Sequence, residues 1–125
     1  MTQQRLTVRI KIAFNGDARL GPGKMDLLAA IVETGSISAA GRSLGMSYRR
    51  AWLLIDAVNT MFDEPSVVAV VGGAHGGGAS LTPFGERLLA AYRKVEAGTA
   101  EIAEDAFATL RPVKSASGVR RARGE

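Results

Sequence analysis

Cysteine is absent from this chain, which removes disulfide bonds, thiolate metal ligands and cysteine nucleophiles from consideration. Histidine occurs once, at His75, so we expect no histidine-based metal centre. No apolar stretch near the N-terminus resembles a secretion signal, and no apolar run is long enough to cross a membrane. The composition therefore predicts a cytoplasmic protein with no membrane association and no metal or other cofactor.

The formal net charge of +4 is concentrated at one end of the chain. Residues 1–110 carry 11 basic and 11 acidic side chains, whereas residues 111–125 carry five basic side chains and one acidic. A chain of 125 residues, 46% of them hydrophobic, suits one compact domain. We therefore predict a folded domain over residues 1–110 and a disordered basic tail over residues 111–125.

The spacing of apolar residues predicts an α+β domain that is mainly helical. Apolar and polar residues alternate from Leu6 to Ala13, as in a half-buried strand, and Asn15-Gly16-Asp17 is a turn signal. Further elements are predicted as helices over 24–34, 39–44, 47–62 and 84–110 and as strands over 67–71 and 79–82. The helical period assigns Val32 to the buried face of the first helix and Trp52 to that of the third. It also places Val95, Ile102 and Phe107 on the apolar face of the last helix.

Residues 37–56 have the pattern of a helix-turn-helix, in which two short helices are joined by a tight turn. Gly41 provides the small residue that lets the two helices cross closely, and Gly45 provides the turn. Ser38 and Ser47 are the predicted N-caps of the two helices. The second helix, which reads DNA in such motifs, would begin directly after Ser47.

The distribution of charge favours a nucleic-acid role for this motif. Between Ser36 and Trp52 there are three arginines and no acidic residue. Arg49 and Arg50 lie at a helix start, where their charge opposes the helix dipole, so an anionic partner explains them better than local stability does. Arginine is also the usual reader of guanine in the major groove. Solvation of an exposed helix face is the alternative explanation.

Further candidate contacts lie near the two helix starts and in a glycine-rich segment. Gly72–Gly78 fits the tip of a hairpin, or wing, that lays backbone amides and His75 against phosphates. A hairpin tip without contacts fits nearly as well. A nucleotide-binding loop fits less well, because this segment lacks the Gly-Lys-Ser/Thr ending and the following helix of such loops. Tyr48 either packs beside the turn or reaches a phosphate. The candidate DNA contacts are Ser36, Ser38, Arg42, Ser47, Tyr48, Arg49, Arg50 and His75.

Three segments together resemble the N-terminal domain of ModE-type molybdate-responsive regulators. They are Leu-Gly-Pro-Gly-Lys at residues 20–24, the run from Thr34 to Trp52 that contains Ser-Tyr-Arg-Arg-Ala-Trp, and the run from Gly72 to Leu88 that contains Leu-Thr-Pro-Phe-Gly. The helix-turn-helix alone is equally similar to LysR-type regulators. The glycine-rich wing favours the ModE type.

The resemblance implies a winged helix-turn-helix that forms a homodimer through its N-terminal strand region and last helix. It implies binding to double-stranded operator DNA near genes of molybdate uptake or molybdoenzymes. Family members continue into C-terminal domains that bind molybdate, and this chain ends where they would begin. On that ground we expect no direct molybdate binding.

Two other function classes compete with a transcriptional regulator. An enzyme would need a nucleophile, an acid–base pair or a metal cluster, and no such set assembles in this sequence. A protein-interaction or dimerisation module, modulating a full-length regulator without binding DNA, would use the last helix and not the arginines. Retardation of promoter DNA separates the regulator from the interaction module.

Overall fold

The computed structural model describes residues 6–71 and 78–111. Its elements in chain order are β1 (Ile12–Phe14), β2 (Ala18–Leu20), α1 (Pro22–Thr34), α2 (Ile37–Ser43), α3 (Tyr48–Asn59), β3 (Val67–Val70), β4 (Gly78–Leu81) and α4 (Pro83–Ala106). The fold is α+β and mainly helical, as the sequence predicts, and its architecture is that of a winged helix. The predicted wing tip with His75 and the predicted tail beyond Arg111 lie outside the described residues.

The N-terminal strand is shorter than the sequence predicts. β1 and β2 form an antiparallel hairpin in which Ile12 pairs with Leu20 and Phe14 with Ala18. The turn between them has positive φ at Asn15 and Gly16, as the turn signal implies. β2 ends at Leu20 because α1 begins two residues later, so residues 6–11 keep their alternating exposure without a paired strand.

The core forms where α1 packs against α2, α3 and α4. Leu27, Leu28 and Ile31 of α1 are buried, and Gly35 ends the helix in the left-handed conformation at φ 73°, as predicted. The assignment of Val32 to the buried face is wrong, because its side chain is 61% exposed. The neighbouring helices cover one side of α1, and Val32 lies outside the covered side.

The wing is an antiparallel pair of β3 and β4, with Val67 opposite Leu81 and Val70 opposite Gly78. A β-bridge between Ser36 and Gly78, with a hydrogen bond of 2.9 Å from Ala79 N to Gly35 O, joins the wing to the start of α2. The wing therefore has a fixed position beside the helix-turn-helix.

α4 starts where the sequence predicts and ends earlier. Thr82 Oγ1 accepts a hydrogen bond from Gly85 N at 2.9 Å, and Pro83 occupies the first helical position. The helix ends at Ala106 instead of Leu110. Its first half packs on the core through Tyr92, whereas Val95 and Ile102 in its second half, and Phe107 just after its end, are exposed in the protomer.

None of the helices within the described ranges combines the length and the apolarity that crossing a bilayer requires.

Candidate nucleic-acid interface

The crossing of α2 and α3 depends on two glycines, as the sequence predicts. A Cβ atom at Gly41 would lie 3.1 Å from the Cβ of Ala51, so the helices approach each other as closely as small side chains allow. Gly45 turns the chain at φ 72°, and the N–H of Met46 donates to the carbonyl of Gly41 at 2.9 Å. The result is a rigid helix-turn-helix with α3 as its second helix.

The N-cap of α2 is Ser36, and its assignment to Ser38 is wrong. Ser36 Oγ accepts from the N–H of Ala39 at 3.0 Å, because α2 begins at Ile37 and the cap must lie just before it. Ser38 lies inside the helix, where its hydroxyl accepts from Arg42 at 2.9 Å. Ser47 caps α3 as predicted, accepting from the N–H of Arg50 at 3.1 Å.

The structure brings the three arginines of the acid-free stretch to one end of the motif. Arg49 and Arg50 occupy the first turn of α3, and Arg42 lies in the last turn of α2. All three are exposed, and no carboxylate of the described residues lies within 4.0 Å of any of them. The two adjacent cations on α3 therefore have no internal charge partner in the part of the chain that the structure describes.

Trp52 is not a core residue, contrary to the assignment from the helical period. Its side chain is 39% exposed and lies edge-to-face with Tyr48, with ring centroids 6.2 Å apart. The two rings line one side of an apolar groove of about 530 Å³ between α3 and β3. The helical period misplaced Trp52 because it lies on the side of α3 that turns toward the wing, at the edge of the buried face.

The outward face of α3 includes an apolar residue that sequence reasoning missed. Ala51, Ile55 and Val58 are buried, so the opposite face of the helix points away from the core. On that face lies Leu53, which is 54% exposed. Its neighbours four residues before and three residues after are Arg49 and Asp56, both exposed.

Asn59 is a second residue that the sequence did not reveal. At the C-terminal end of α3, its Oδ1 accepts from the N–H groups of Ser66 and Val67 at 2.8 and 2.9 Å. Its Nδ2 donates to the carbonyl of Val67 at 3.0 Å. This amide therefore joins the start of β3 to the same helix that carries Arg49 and Arg50. In the sequence, the one signal for this role is a polar amide at the end of a helix shortly before a strand.

Seven of the eight predicted contact residues lie together at the helix-turn-helix. Five are exposed, namely Arg42, Ser47, Tyr48, Arg49 and Arg50, and two are half-buried, namely Ser36 and Ser38. The eighth, His75, lies outside the described residues. The seven therefore lie along one helix-turn-helix, at its two capped helix starts and its three arginines.

Comparison with known proteins identifies relatives of this chain. The chain is 53% identical over 85 residues to the molybdenum-pterin-binding protein MopB of Rhodobacter capsulatus, covering 68% of this chain and 32% of the relative. It is 40% identical over 96 residues to the molybdenum transport protein ModE of Azotobacter vinelandii, covering 77% and 36%. It is 37% identical over 89 residues to the DNA-binding transcriptional dual regulator ModE of Escherichia coli K12, covering 71% and 32%.

No protein-family model matches the chain. The chain spans about a third of the length of the relatives it matches, so the homology concerns this shared region. Over that region the sequence identity ranges from 35% to 53% among four relatives, which are named MopB, MopA and, in two cases, ModE. Through this shared region the chain is homologous to the ModE-type regulators, as the sequence resemblance predicts.

Proposed function

We propose that this chain is a sequence-specific DNA-binding transcriptional regulator whose helix α3 enters the major groove. The observation that carries the proposal is the pair Arg49 and Arg50, exposed and without a carboxylate partner among the described residues, at the start of the second helix of a helix-turn-helix. Two cations at a helix N-terminus oppose the helix dipole, so an anionic ligand accounts for them. A DNA duplex supplies phosphates and, in guanine, paired acceptors that arginine binds.

In this proposal the candidate residues divide into readers and anchors. Arg49 and Arg50 contact base edges, and Arg42 and Tyr48 contact phosphates. The hydroxyl groups of Ser36 and Ser47 accept hydrogen bonds as caps, which leaves each hydroxyl hydrogen available to a phosphate oxygen. Ser38 Oγ accepts from Arg42 and is available in the same way. The wing about His75 lies against the adjacent backbone.

The names of the relatives indicate the regulated genes. They connect molybdenum with transport and with transcription, so we propose that this regulator acts in the cytoplasm on genes of molybdenum uptake or use. We also propose a homodimer. Two surfaces of the described protomer favour it: residues 6–11, whose exposure alternates and which pair with no described strand, and the exposed apolar residues Val95 and Ile102 of α4.

The proposal is tested by selecting duplexes that the full chain enriches from a random library and measuring their affinity by gel shift. Arg49→Ala and Arg50→Ala should each weaken binding to a selected duplex by about fivefold to 150-fold while weakening random DNA much less, because a bidentate base contact contributes about 1–3 kcal/mol of discrimination. Thermal stability should change little, since both side chains are exposed.

Arg87→Ala is the matched control, because Arg87 is an exposed arginine on α4 rather than on the helix-turn-helix. It should leave the discrimination between selected and random DNA unchanged. An equal loss on selected and random DNA would make Arg49 and Arg50 phosphate contacts. A chain that retards no duplex at modest salt would contradict the proposal and favour a protein-interaction module.

A further inference from the structure

Leu53 is an exposed apolar residue of α3, and the charges of the helix-turn-helix do not account for its position. It lies on the outward face, one helical turn after Arg49, and its side chain is 54% exposed. The residues that pack α3 on the core lie on the opposite face, so no change of rotamer brings Leu53 into the core. Leaving a leucine in water on the face that carries the candidate DNA readers forgoes the free energy of its burial.

The neighbouring charges indicate what covers this leucine. Arg49 precedes it by four residues and Asp56 follows it by three, so all three share one face of α3. A carboxylate disfavours a phosphate at its own position, and therefore the sugar–phosphate backbone is not the expected neighbour of Leu53. A base edge is compatible with both flanking groups, because base edges carry no net charge.

We propose that Leu53 contacts the methyl group of a thymine and thereby specifies a T·A pair in the recognised duplex. The thymine methyl is the one apolar group that bases present in the major groove. Four residues of helix rise by about 6 Å, and base pairs stack at about 3.4 Å. The T·A pair therefore lies within about two base pairs of the pair contacted by Arg49. This inference rests on the proposed function and deepens it.

The first test removes the methyl group from the DNA without changing its hydrogen bonds. In a selected duplex, each thymine is replaced in turn by uracil, and the affinity of the full chain is measured by gel shift. Replacement at one thymine, within about two base pairs of the position sensitive to Arg49→Ala, should weaken binding about threefold to fivefold, as expected for the burial of one methyl group. Replacements elsewhere should have little effect.

The second test repeats the comparison with variants of the protein. Leu53→Ala should weaken binding to the thymine duplex and abolish its difference from the uracil duplex, while Leu53→Met, which retains an apolar side chain, should keep that difference. Val32→Ala is the matched control, because Val32 is 61% exposed on α1. It should bind both duplexes as the unaltered chain does. Circular dichroism and thermal melting check that each variant is folded.

The outcomes separate this inference from the proposed function. If no duplex is enriched, the proposed function fails and the inference fails with it. If duplexes are enriched but uracil binds as well as thymine at every position, the inference alone is overturned. It is also overturned if Leu53→Ala keeps the full difference between thymine and uracil, because another group then contacts the methyl.

Discussion

Gly85 and Gly98 both lie in α4, and their surroundings give opposite expectations for replacement by alanine. A Cβ at Gly85 would collide with the carbonyl oxygen of Ser66, whereas a Cβ at Gly98 would have nothing within 4 Å. Gly85→Ala should lower the free energy of unfolding by roughly 2 kcal/mol, because backbone must move. Gly98→Ala should raise it by up to about 1 kcal/mol through helix propensity. Urea unfolding measures both; changes of the same sign would contradict this.

Single residues were predictable from the sequence where local chemistry decides their role. Gly35 and Gly45 turn the chain in the left-handed region, and Ser47 caps α3, because these functions depend only on adjacent backbone. The cap of α2 was misplaced because Ser36 and Ser38 both lie close to the helix start, and only the beginning of the helix at Ile37 distinguishes them. The exposure of Trp52 depends on where β3 lies, which no local pattern contains.

At the scale of elements, one amide joins α3 to the wing. Asn59→Ala leaves the N–H groups of Ser66 and Val67 and the carbonyl of Val67 without their side-chain partner. The free energy of unfolding should fall by about 1–3 kcal/mol, the usual cost of unsatisfied buried polar groups, as measured by urea unfolding. Thr60→Ala is the control, since its hydroxyl bonds only carbonyls of its own helix. An equal effect of both variants would show that the amide contributes nothing specific.

A second inter-element contact joins α4 to the N-terminal segment. Tyr92 is buried, and its hydroxyl donates to the carbonyl of Ile10 at 2.5 Å. Burial, together with the carboxylates of Glu96 and Asp26, raises the pKa of Tyr92 above its ordinary value of 10.0. The folded state therefore holds the hydroxyl proton more tightly than the unfolded state does. The contribution of Tyr92 to the free energy of unfolding is thus complete below pH 10 and declines as the pH rises through the folded-state pKa.

Tyr92→Phe tests this contact through stability and its pH dependence. At about pH 7 the loss of the hydrogen bond should cost about 1 kcal/mol. Above about pH 10 the variant should lose stability less steeply than the unaltered chain, because it lacks the group that titrates. Urea midpoints at neutral pH and at about pH 11 provide the measurement, with Tyr48→Phe, at an exposed tyrosine, as control. A parallel alkaline decline in the unaltered chain and Tyr92→Phe would refute the assignment.

Elements with strong local patterns were predicted well, and those that need a distant partner were not. The helices containing Leu28, Gly41 and Ile55 and the β3–β4 hairpin follow from periodicity and glycine spacing. The alternation of residues 6–13 is a real property of the chain, since Leu6, Val8 and Ile10 are half-buried. Strand formation there also requires a partner, and β2 is only three residues long.

At the scale of the whole molecule, the placement of charge matters more than its sum. Residues 1–110 are neutral overall, yet the helix-turn-helix surface carries three arginines without a described carboxylate within 4.0 Å. The acidic residues of the second half of α4 are Glu96, Glu101, Glu104 and Asp105. Within residues 1–110, basic charge is therefore concentrated at the helix-turn-helix and acidic charge in the second half of α4, while the net positive charge of the chain resides in residues 111–125.

Removing that excess charge should weaken DNA binding without changing its specificity. The full chain is compared with a variant in which Lys114, Arg120, Arg121 and Arg123 are glutamine, which keeps the length of the tail. Affinity for selected and random duplexes should fall by the same factor. The slope of log affinity against log salt should decrease by up to about 3 to 4, because each phosphate that a cation neutralises adds about 0.9 to that slope. A parallel gel shift of Arg49→Ala should show the contrasting behaviour that the proposed base contact predicts. If the glutamine variant loses binding only to the selected duplex, residues 111–125 take part in sequence recognition. The assignment of a sequence-independent role to these residues would then be wrong.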